Sequence, residues 1–154
     1  MHQLEGAAWT LGSIHALASA GATFGTWHEL FGPRGLIYLR ENKIVYSPTF
    51  HAISTLPANK VREAKLIGKI NDSWIAFEFP HDGHLMIASL RPWEQEVEPH
   101  LVSKYKMRAR LIEDDVKEAE LESSWWAQNR FLENNSSASF LLKPFEVCVL
   151  LRQS

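Results

Sequence analysis

The stretch that decides the fold is residues 74–90, with the sequence WIAFEFPHDGHLMIASL. In its first half, Ile75, Phe77 and Phe79 are apolar at every second position, which is the period of a β-strand. The Asp-Gly pair in the middle is typical of a tight hairpin turn, and the apolar run that follows supplies a returning strand. The stretch therefore predicts an antiparallel β-hairpin.

The sequence on the C-terminal side of this hairpin continues in short extended segments. Alternating or apolar runs lie at residues 94–98, 105–111, 140–142 and 145–151. Residues 114–131 interrupt them with a charged composition that we interpret as a helix. About seven short strands separated by turns are typical of an antiparallel β-sandwich, so we expect residues 60–154 to form one.

The sequence on the N-terminal side has a different pattern. Residues 10–20 have helical spacing, with Leu11, Ile14 and Leu17 on one face. Residues 47–55 predict a second helix, which begins with the Ser-Pro pair that favours a helix start. Between the two helices, residues 22–27 are mostly small and uncharged, which suits a strand that is covered on both faces.

The strand predicted at residues 22–27 ends in Trp27, His28 and Glu29, and a loop that contains Arg34 follows it. A strand that ends in a carboxylate and a basic loop is typical of the active-site rim of a βα-barrel. A complete barrel needs about 250 residues, whereas this chain has 154. We therefore expect residues 1–59 to be the last part of a larger enzyme fold, as a fragment or a reduced descendant. The predicted class is α+β, with a helix–strand–helix barrel remnant before the antiparallel sandwich.

The composition excludes several classes of protein. Hydrophobic residues make up 45% of the chain, which is enough for a sizeable core and argues against a disordered protein. The net charge is −2 and there is no basic stripe, which argues against a nucleic-acid-binding protein. No apolar run approaches the roughly 18 residues of a membrane span, and the first residues lack a signal-peptide pattern. The single cysteine, Cys148, cannot form an internal disulfide. We expect a cytoplasmic protein that binds neither nucleic acid nor a membrane.

Five short stretches carry a resemblance to a known family. They are AWTLGS at 8–13, TWHE at 26–29 with Arg34 and Gly35, YSPTFHA at 46–52, GHLMIASL at 83–90 and LKPFEV at 142–147. Taken in this order, they resemble the C-terminal part of the D-apionate lactonase family. That family is similar to clan-A glycoside hydrolases, and the resemblance implies the end of a βα-barrel followed by a β-sandwich.

The same resemblance implies that most of the catalytic machinery is absent. Clan-A glycoside hydrolases carry an acid/base glutamate after the fourth barrel strand and a nucleophile after the seventh, whereas only the eighth strand has a counterpart here. The resemblance therefore predicts fold rather than activity. We expect a non-catalytic accessory or remnant module of a lactonase- or glycosidase-like protein, with no catalytic residue of its own.

The candidate ligand-binding residues are Trp27, His28, Glu29 and Arg34, because the rim is where a barrel binds its substrate. Arg34 can pair with a carboxylate of a ligand or hold Glu29 in place, and a carbohydrate-like small molecule is the expected ligand class. The alternative is an ion pair inherited from the barrel, without a ligand.

Other side chains have simpler interpretations. His81 and His84 flank the hairpin turn without the third ligand of a zinc site, and no phosphate-binding loop is visible, so neither metal nor cofactor is expected. Trp125 and Trp126 could stack on a sugar ring or clamp a partner, although packing of one of them on the sandwich is favoured. The basic row of Lys104, Lys106, Arg108 and Arg110 is interpreted as a solvated face.

The predicted strand at residues 22–27 also leads to an expectation about partners. Without its barrel neighbours, the strand would leave Phe24, Trp27 and Leu30 exposed, so we expect a homodimer or contact with the missing barrel portion.

Two alternative functions remain open. One is a stand-alone small-ligand-binding protein with an apolar pocket lined by Trp9, Phe24, Trp27 and Phe31. The other is a small carbohydrate-active hydrolase built around Glu29 and His28.

Overall fold

A five-stranded antiparallel sheet forms the centre of the computed structural model, which describes residues 3–22, 25, 29–56, 63–68, 72–128 and 140–152. In chain order the elements are α1 (Leu4–Ser19), β1 (Ile37–Arg40), β2 (Lys43–Tyr46), α2 (Pro48–Ser54), β3 (Lys65–Ile67), β4 (Trp74–Phe79), β5 (His84–Ser89), β6 (Gln95–Val97), α3 (Pro99–Val102), β7 (Tyr105–Leu111), α4 (Val116–Ala119), α5 (Trp125–Gln128), β8 (Phe140–Leu142) and β9 (Val147–Arg152). The central sheet has the order β3-β4-β5-β9-β7, and β1-β2 and β6-β8 form two smaller antiparallel sheets. The predicted α+β class is confirmed.

The hairpin predicted at residues 74–90 lies inside the central sheet. Ile75 pairs with Ala88 and Phe77 pairs with Met86, while Gly83 lies in the turn with a φ of +67°, which glycine adopts without strain. Ile75 and Phe77 are fully buried, as the alternation indicated. The residues between them are buried as well, because β4 is covered on both faces.

A separate hydrophobic core covers each face of the central sheet. On one face, α1, α2 and α4 contribute Leu11, Ala52 and Ala119 to a core that also contains Phe77. On the other face, β6 and β8 pack their apolar side chains against those of β4, β5 and β9. The sheet of β6 and β8 thus stacks on one face of the central sheet, as the sandwich prediction required, and helices cover the other face of the central sheet.

A β-bulge divides β7 into two parts that face opposite cores. The pairing of β7 with β9 shifts between Met107 and Ala109. Tyr105 therefore belongs to the core next to β6 and β8, whereas Leu111 belongs to the core next to the helices. The single apolar face predicted for residues 105–111 is wrong, because one extra residue reverses the side on which the later residues lie.

The first helix begins at Leu4, well before the predicted start at Thr10. Its buried residues run from Leu4 to His15, and the predicted face is correct for Leu11 and Ile14. It is wrong for Leu17, which is 42% exposed because the last turn extends beyond the core. None of the described helices is long and apolar enough to cross a membrane.

Two predictions about the N-terminal part fall largely outside the described residues. The strand expected at 22–27 includes Phe24 and Trp27, and neither of these two residues is described. The expected domain boundary falls within residues 57–62, which are not described either. Both stay predictions.

The helix that follows the hairpin of β1 and β2 agrees with the sequence analysis. Glu41 and Asn42 form the tight turn with φ values of 51° and 61°. Ser47 then caps α2, because its side chain accepts a hydrogen bond from the Phe50 N–H at 3.1 Å, and Pro48 occupies the first turn. These local signals fix the orientation of β2 relative to α2.

The long helix predicted at residues 114–131 is wrong for its described part. A 3₁₀ turn at Glu113–Asp115 leads into α4, which ends at Ala119, and α5 is a separate single turn. A continuous helix would pair the Ser124 N–H with the carbonyl of Glu120. Instead the Ser124 N–H donates to the Glu122 carboxylate, and the Glu120 carbonyl accepts from the Tyr46 N–H at 2.8 Å. Contacts with a distant segment thus end α4.

Candidate functional site

The loop that was expected to form a barrel rim runs from Glu29 to Leu36 and has a compact backbone. The Leu36 N–H donates to the Glu29 carbonyl and the Ile37 N–H donates to the Leu30 carbonyl, both at 2.9 Å. A Cβ at Gly35 would lie 2.8 Å from the carbonyl carbon of Phe31, so the loop has room only for glycine there. The close packing of the backbone directs the loop side chains outward.

The structure places two of the four candidate rim residues. Glu29 and Arg34 are both exposed, and in this described loop no ion pair joins them. Trp27 and His28 lie outside the described residues. The four-residue ligand site therefore stays a prediction.

Apolar side chains are exposed in this loop and on the adjoining hairpin. Leu39 on β1 lies directly opposite Ile44 on β2, and the two side chains are 73% and 56% exposed. Phe31 in the loop forms a backbone bridge with Ile37 at the start of β1, and Leu30 and Phe31 are also exposed. We call Leu30, Phe31, Leu39 and Ile44 the apolar patch.

The opposite face of the same hairpin is anchored by a buried carboxylate. The Glu120 side chain, only 6% exposed, accepts hydrogen bonds from the Tyr38 hydroxyl at 3.1 Å and from Arg40 Nη2 at 2.6 Å. Burial and the negative charge of Glu120 raise the pKa of Tyr38 above its ordinary value. Because the inner face is fixed in this way, the outer face with Leu39 and Ile44 points away from the protein.

A second anchor joins α2 to the segment around α4 and α5. His51 Nε2 lies 2.7 Å from the carbonyl oxygen of Ala119, so this nitrogen carries the donated hydrogen. The Trp126 Nε1–H donates to the carbonyl of His51 at 2.7 Å. His51 is completely buried, and desolvation lowers its pKa below the ordinary value. The neutral imidazole is therefore a structural group that orients α2.

The two adjacent tryptophans have different environments. Trp125 is 6% exposed and belongs to the core next to the helices, which confirms that one of the pair packs in the interior. Trp126 is half-buried and also lines a groove of about 390 Å³. The groove is lined by the hydroxyl groups of Ser54, Thr55, Ser123 and Ser124, by the rings of His84 and Trp126, and by the apolar side chains of Ala127 and Val149. The sequence analysis identified only the tryptophan pair among the residues of this groove.

A buried cluster around Glu78 joins β4 to the start of β7 on the other side of the central sheet. Glu78 Oε1 accepts hydrogen bonds from the Tyr105 hydroxyl at 2.5 Å and from Lys104 Nζ at 2.9 Å. The hydrogen bond from Tyr105 is the main reason why the pKa of Glu78 is lowered, and burial is the main reason why the pKa of Tyr105 is raised. Glu78 is charged and Tyr105 is neutral over the physiological pH range, which suits a structural pair.

The basic row at residues 104–110 is not a uniformly solvated face. Lys104 pairs with Glu78, and Arg110 is half-buried and binds the fully buried Glu146 through two nitrogens. The side chains of Lys106 and Arg108 are outside the described part. The solvated-face prediction is therefore wrong for Arg110, because the buried Glu146 requires a cation.

Only part of the predicted apolar pocket lies within the described residues. Trp9 and Phe31, two of the four residues of the proposed apolar pocket, are 42% and 68% exposed, and Phe24 and Trp27 are outside the described residues. Within the described ranges, no group of three or more histidine, cysteine, aspartate or glutamate side chains could hold a metal ion.

A match to a known family is confined to the N-terminal segment. No curated protein and no solved structure gives a significant match. The extension of the resemblance to residues 83–90 and 142–147 stays a prediction. Residues 2–61, about two-fifths of the chain, match the family model of the D-apionate lactonase TIM barrel domain, which confirms the resemblance for this segment.

Proposed function

We propose that this chain is a non-catalytic accessory module of a lactonase- or glycosidase-like protein and that it associates with a second copy through the apolar patch. The observation that carries the proposal is the exposed pair of Leu39 and Ile44 within a segment that matches a barrel domain. In a complete barrel, helices and strands cover one another, so apolar faces of this kind are normally buried. An exposed apolar surface in a soluble domain marks an interaction site.

The charges near the patch support a second copy as the partner. Exposed acidic residues, Glu29 and Glu41, and exposed basic residues, Arg34 and Lys43, lie in the same loop and hairpin. In a two-fold symmetric contact, each residue of one protomer meets a different residue of the other. Such an arrangement allows acids of one copy to face bases of the other around a shared apolar centre.

The ion pairs of the buried acidic side chains support the non-catalytic part of the proposal. Hydrolysis of a glycoside needs two carboxyl groups on either side of the bond. The buried carboxylates Glu78, Glu120 and Glu146 are each bound to a basic side chain of the fold. These carboxylates are occupied by structural contacts and are poorly suited to act as an acid or a nucleophile.

The proposal is tested by the mass of the protein in solution. Light scattering at micromolar concentration should give about twice the chain mass of 17.6 kDa. Ile44→Glu should shift the protein to the monomer, because a charge would be buried at the centre of the contact. Leu121→Glu is the matched control, since Leu121 is 57% exposed, like Ile44 at 56%, and lies outside the patch. A monomeric wild-type chain, or an Ile44→Glu variant that stays dimeric, would refute the association.

A further inference from the structure

We propose that the groove beside Trp126 binds a neutral polyhydroxylated molecule of monosaccharide size. This site is separate from the apolar patch and shares no residue with it. The groove lies where the end of α2 approaches β5, β9 and the turn before α5, and its volume is about 390 Å³. That volume is at the lower end of the range for small-molecule sites.

The hydroxyl groups around the groove are arranged to accept hydrogen bonds. The hydroxyl of Ser54 donates its hydrogen to the carbonyl of His51 at 2.9 Å, and the hydroxyl of Thr55 donates to the carbonyl of Ala52 at 2.8 Å. The hydroxyl of Ser124 likewise donates to Glu122 at 2.6 Å. A hydroxyl oxygen that has donated its single hydrogen still carries lone pairs. Ser54 and Thr55 therefore present acceptors at the groove, which match a ligand that brings O–H donors.

The aromatic side chain in the groove is held in a fixed position. Trp126 donates its indole N–H to the carbonyl of His51 at 2.7 Å and packs against the core next to the helices. The indole orientation is thus set before a ligand arrives, which lowers the entropic cost of binding. Sugars have C–H faces that stack on such a ring, while their hydroxyl groups reach the polar atoms around it.

The charge of the lining decides between neutral and acidic ligands. No lysine, arginine, aspartate or glutamate is among the described residues that line the groove, and His84 is the one ionisable side chain of that lining. The Glu122 carboxylate is adjacent to it, 2.6 Å from the Ser124 hydroxyl. A carboxylate or phosphate would lose its hydration without gaining a fixed positive charge. The groove therefore favours a neutral polyol over a sugar acid or a sugar phosphate.

The proposal is tested by NMR titration of the full chain with D-glucose and D-xylose, with D-gluconate as the charged comparison. We expect saturable shifts of amide signals at residues 54–55, 84 and 123–127, with dissociation constants of about millimolar order for so small a ligand. Gluconate should bind more weakly than glucose. The absence of saturable shifts with either neutral sugar up to about 100 mM would overturn the proposal, as would tighter binding of gluconate.

Two substitutions locate the binding. Ser123→Leu places a bulky apolar side chain at the exposed edge of the groove and should weaken sugar binding about tenfold or more. Ser103→Leu is the matched control, because Ser103 is also exposed and is not part of the groove lining; it should bind like the wild type. Trp126→Leu should also weaken binding, and circular dichroism checks that this variant is folded. Equal affinity of the wild type and Ser123→Leu would overturn the assignment of the site.

Discussion

Tyr105 on β7 donates a hydrogen bond to Glu78 on β4 across the two strands, β5 and β9, that lie between them in the central sheet. The hydroxyl and carboxylate oxygens are 2.5 Å apart, and both residues are buried. A hydrogen bond to a charged carboxylate is stronger than one between neutral groups. The pair therefore closes one face of the sheet and holds the edge strand β7 in place.

Removal of the Tyr105 hydroxyl should destabilise the fold. We expect Tyr105→Phe to lower the free energy of unfolding by about 1.5–3 kcal/mol, because the charged Glu78 loses a buried donor and keeps Lys104. Urea denaturation measures this change. Tyr46→Phe is the control, since the ring of Tyr46 is half-buried against Phe50 and it should change stability little. Equal effects of the two substitutions would contradict the role of the Tyr105–Glu78 pair.

The centre of the hairpin should contribute strongly to stability. Phe77 is completely buried between α1 and the sheet, and its ring packs edge-on against His15 with centroids 5.4 Å apart. We expect Phe77→Ala to cost about 3–5 kcal/mol, because it leaves a cavity in the core. Trp93→Ala, at a side chain that is 56% exposed, should cost much less. A loss below about 1 kcal/mol for Phe77→Ala would contradict its place in the core.

The elements that depend on neighbouring residues could be predicted from the sequence. The Asp82–Gly83 turn and the alternation before it identified β4 and β5, and the pair Ser47–Pro48 identified α2. These signals are local, because a turn or a helix cap is made by residues a few positions apart.

The features that depend on distant residues could not be predicted. The bulge at Met107 and Ala109 leaves the alternation of the sequence unchanged and yet sends Leu111 to the other core. The end of α4 depends on hydrogen bonds from Tyr46 and His51, which are far away in the chain. Residue types alone do not reveal such contacts.

The candidate sites also divide into one that neighbouring residues form and one that only distant residues form. Glu29 and Arg34 were found because they lie in one short motif, although the structure leaves both of them exposed and separate. The groove beside Trp126 combines residues from α2, β5 and the region around α5, and only the fold brings them together. Its polar residues are common serines and threonines, which carry no sequence signal of their own.

The isolated chain should lack hydrolytic activity on sugar lactones and aryl glycosides. Glu29 is exposed, and general acid–base chemistry on a glycoside needs a second carboxyl group at a suitable distance. We expect the wild type and Glu29→Gln to show the same background rate in a chromogenic glycoside assay and a lactone-opening assay. Glu41→Gln, at another exposed glutamate, is the control. Turnover that Glu29→Gln abolishes and Glu41→Gln preserves would favour the small hydrolase instead.

The stability of the protein should fall when the pH drops below the ordinary pKa of histidine. Burial lowers the pKa of both His15 and His51 below the ordinary histidine value of about 6.5, so the unfolded chain takes up protons more readily than the folded chain. Their contribution to stability is therefore complete above about pH 6.5 and is lost as the pH falls through this value toward the folded pKa. Urea denaturation between about pH 5 and pH 7.5 should show a decreasing free energy of unfolding toward the acidic end.

His51→Gln should weaken this pH dependence of stability, because glutamine can still donate to the carbonyl of Ala119 but takes up no proton. A pH dependence that is unchanged in His51→Gln would show that the buried imidazole of His51 does not contribute to the acid sensitivity.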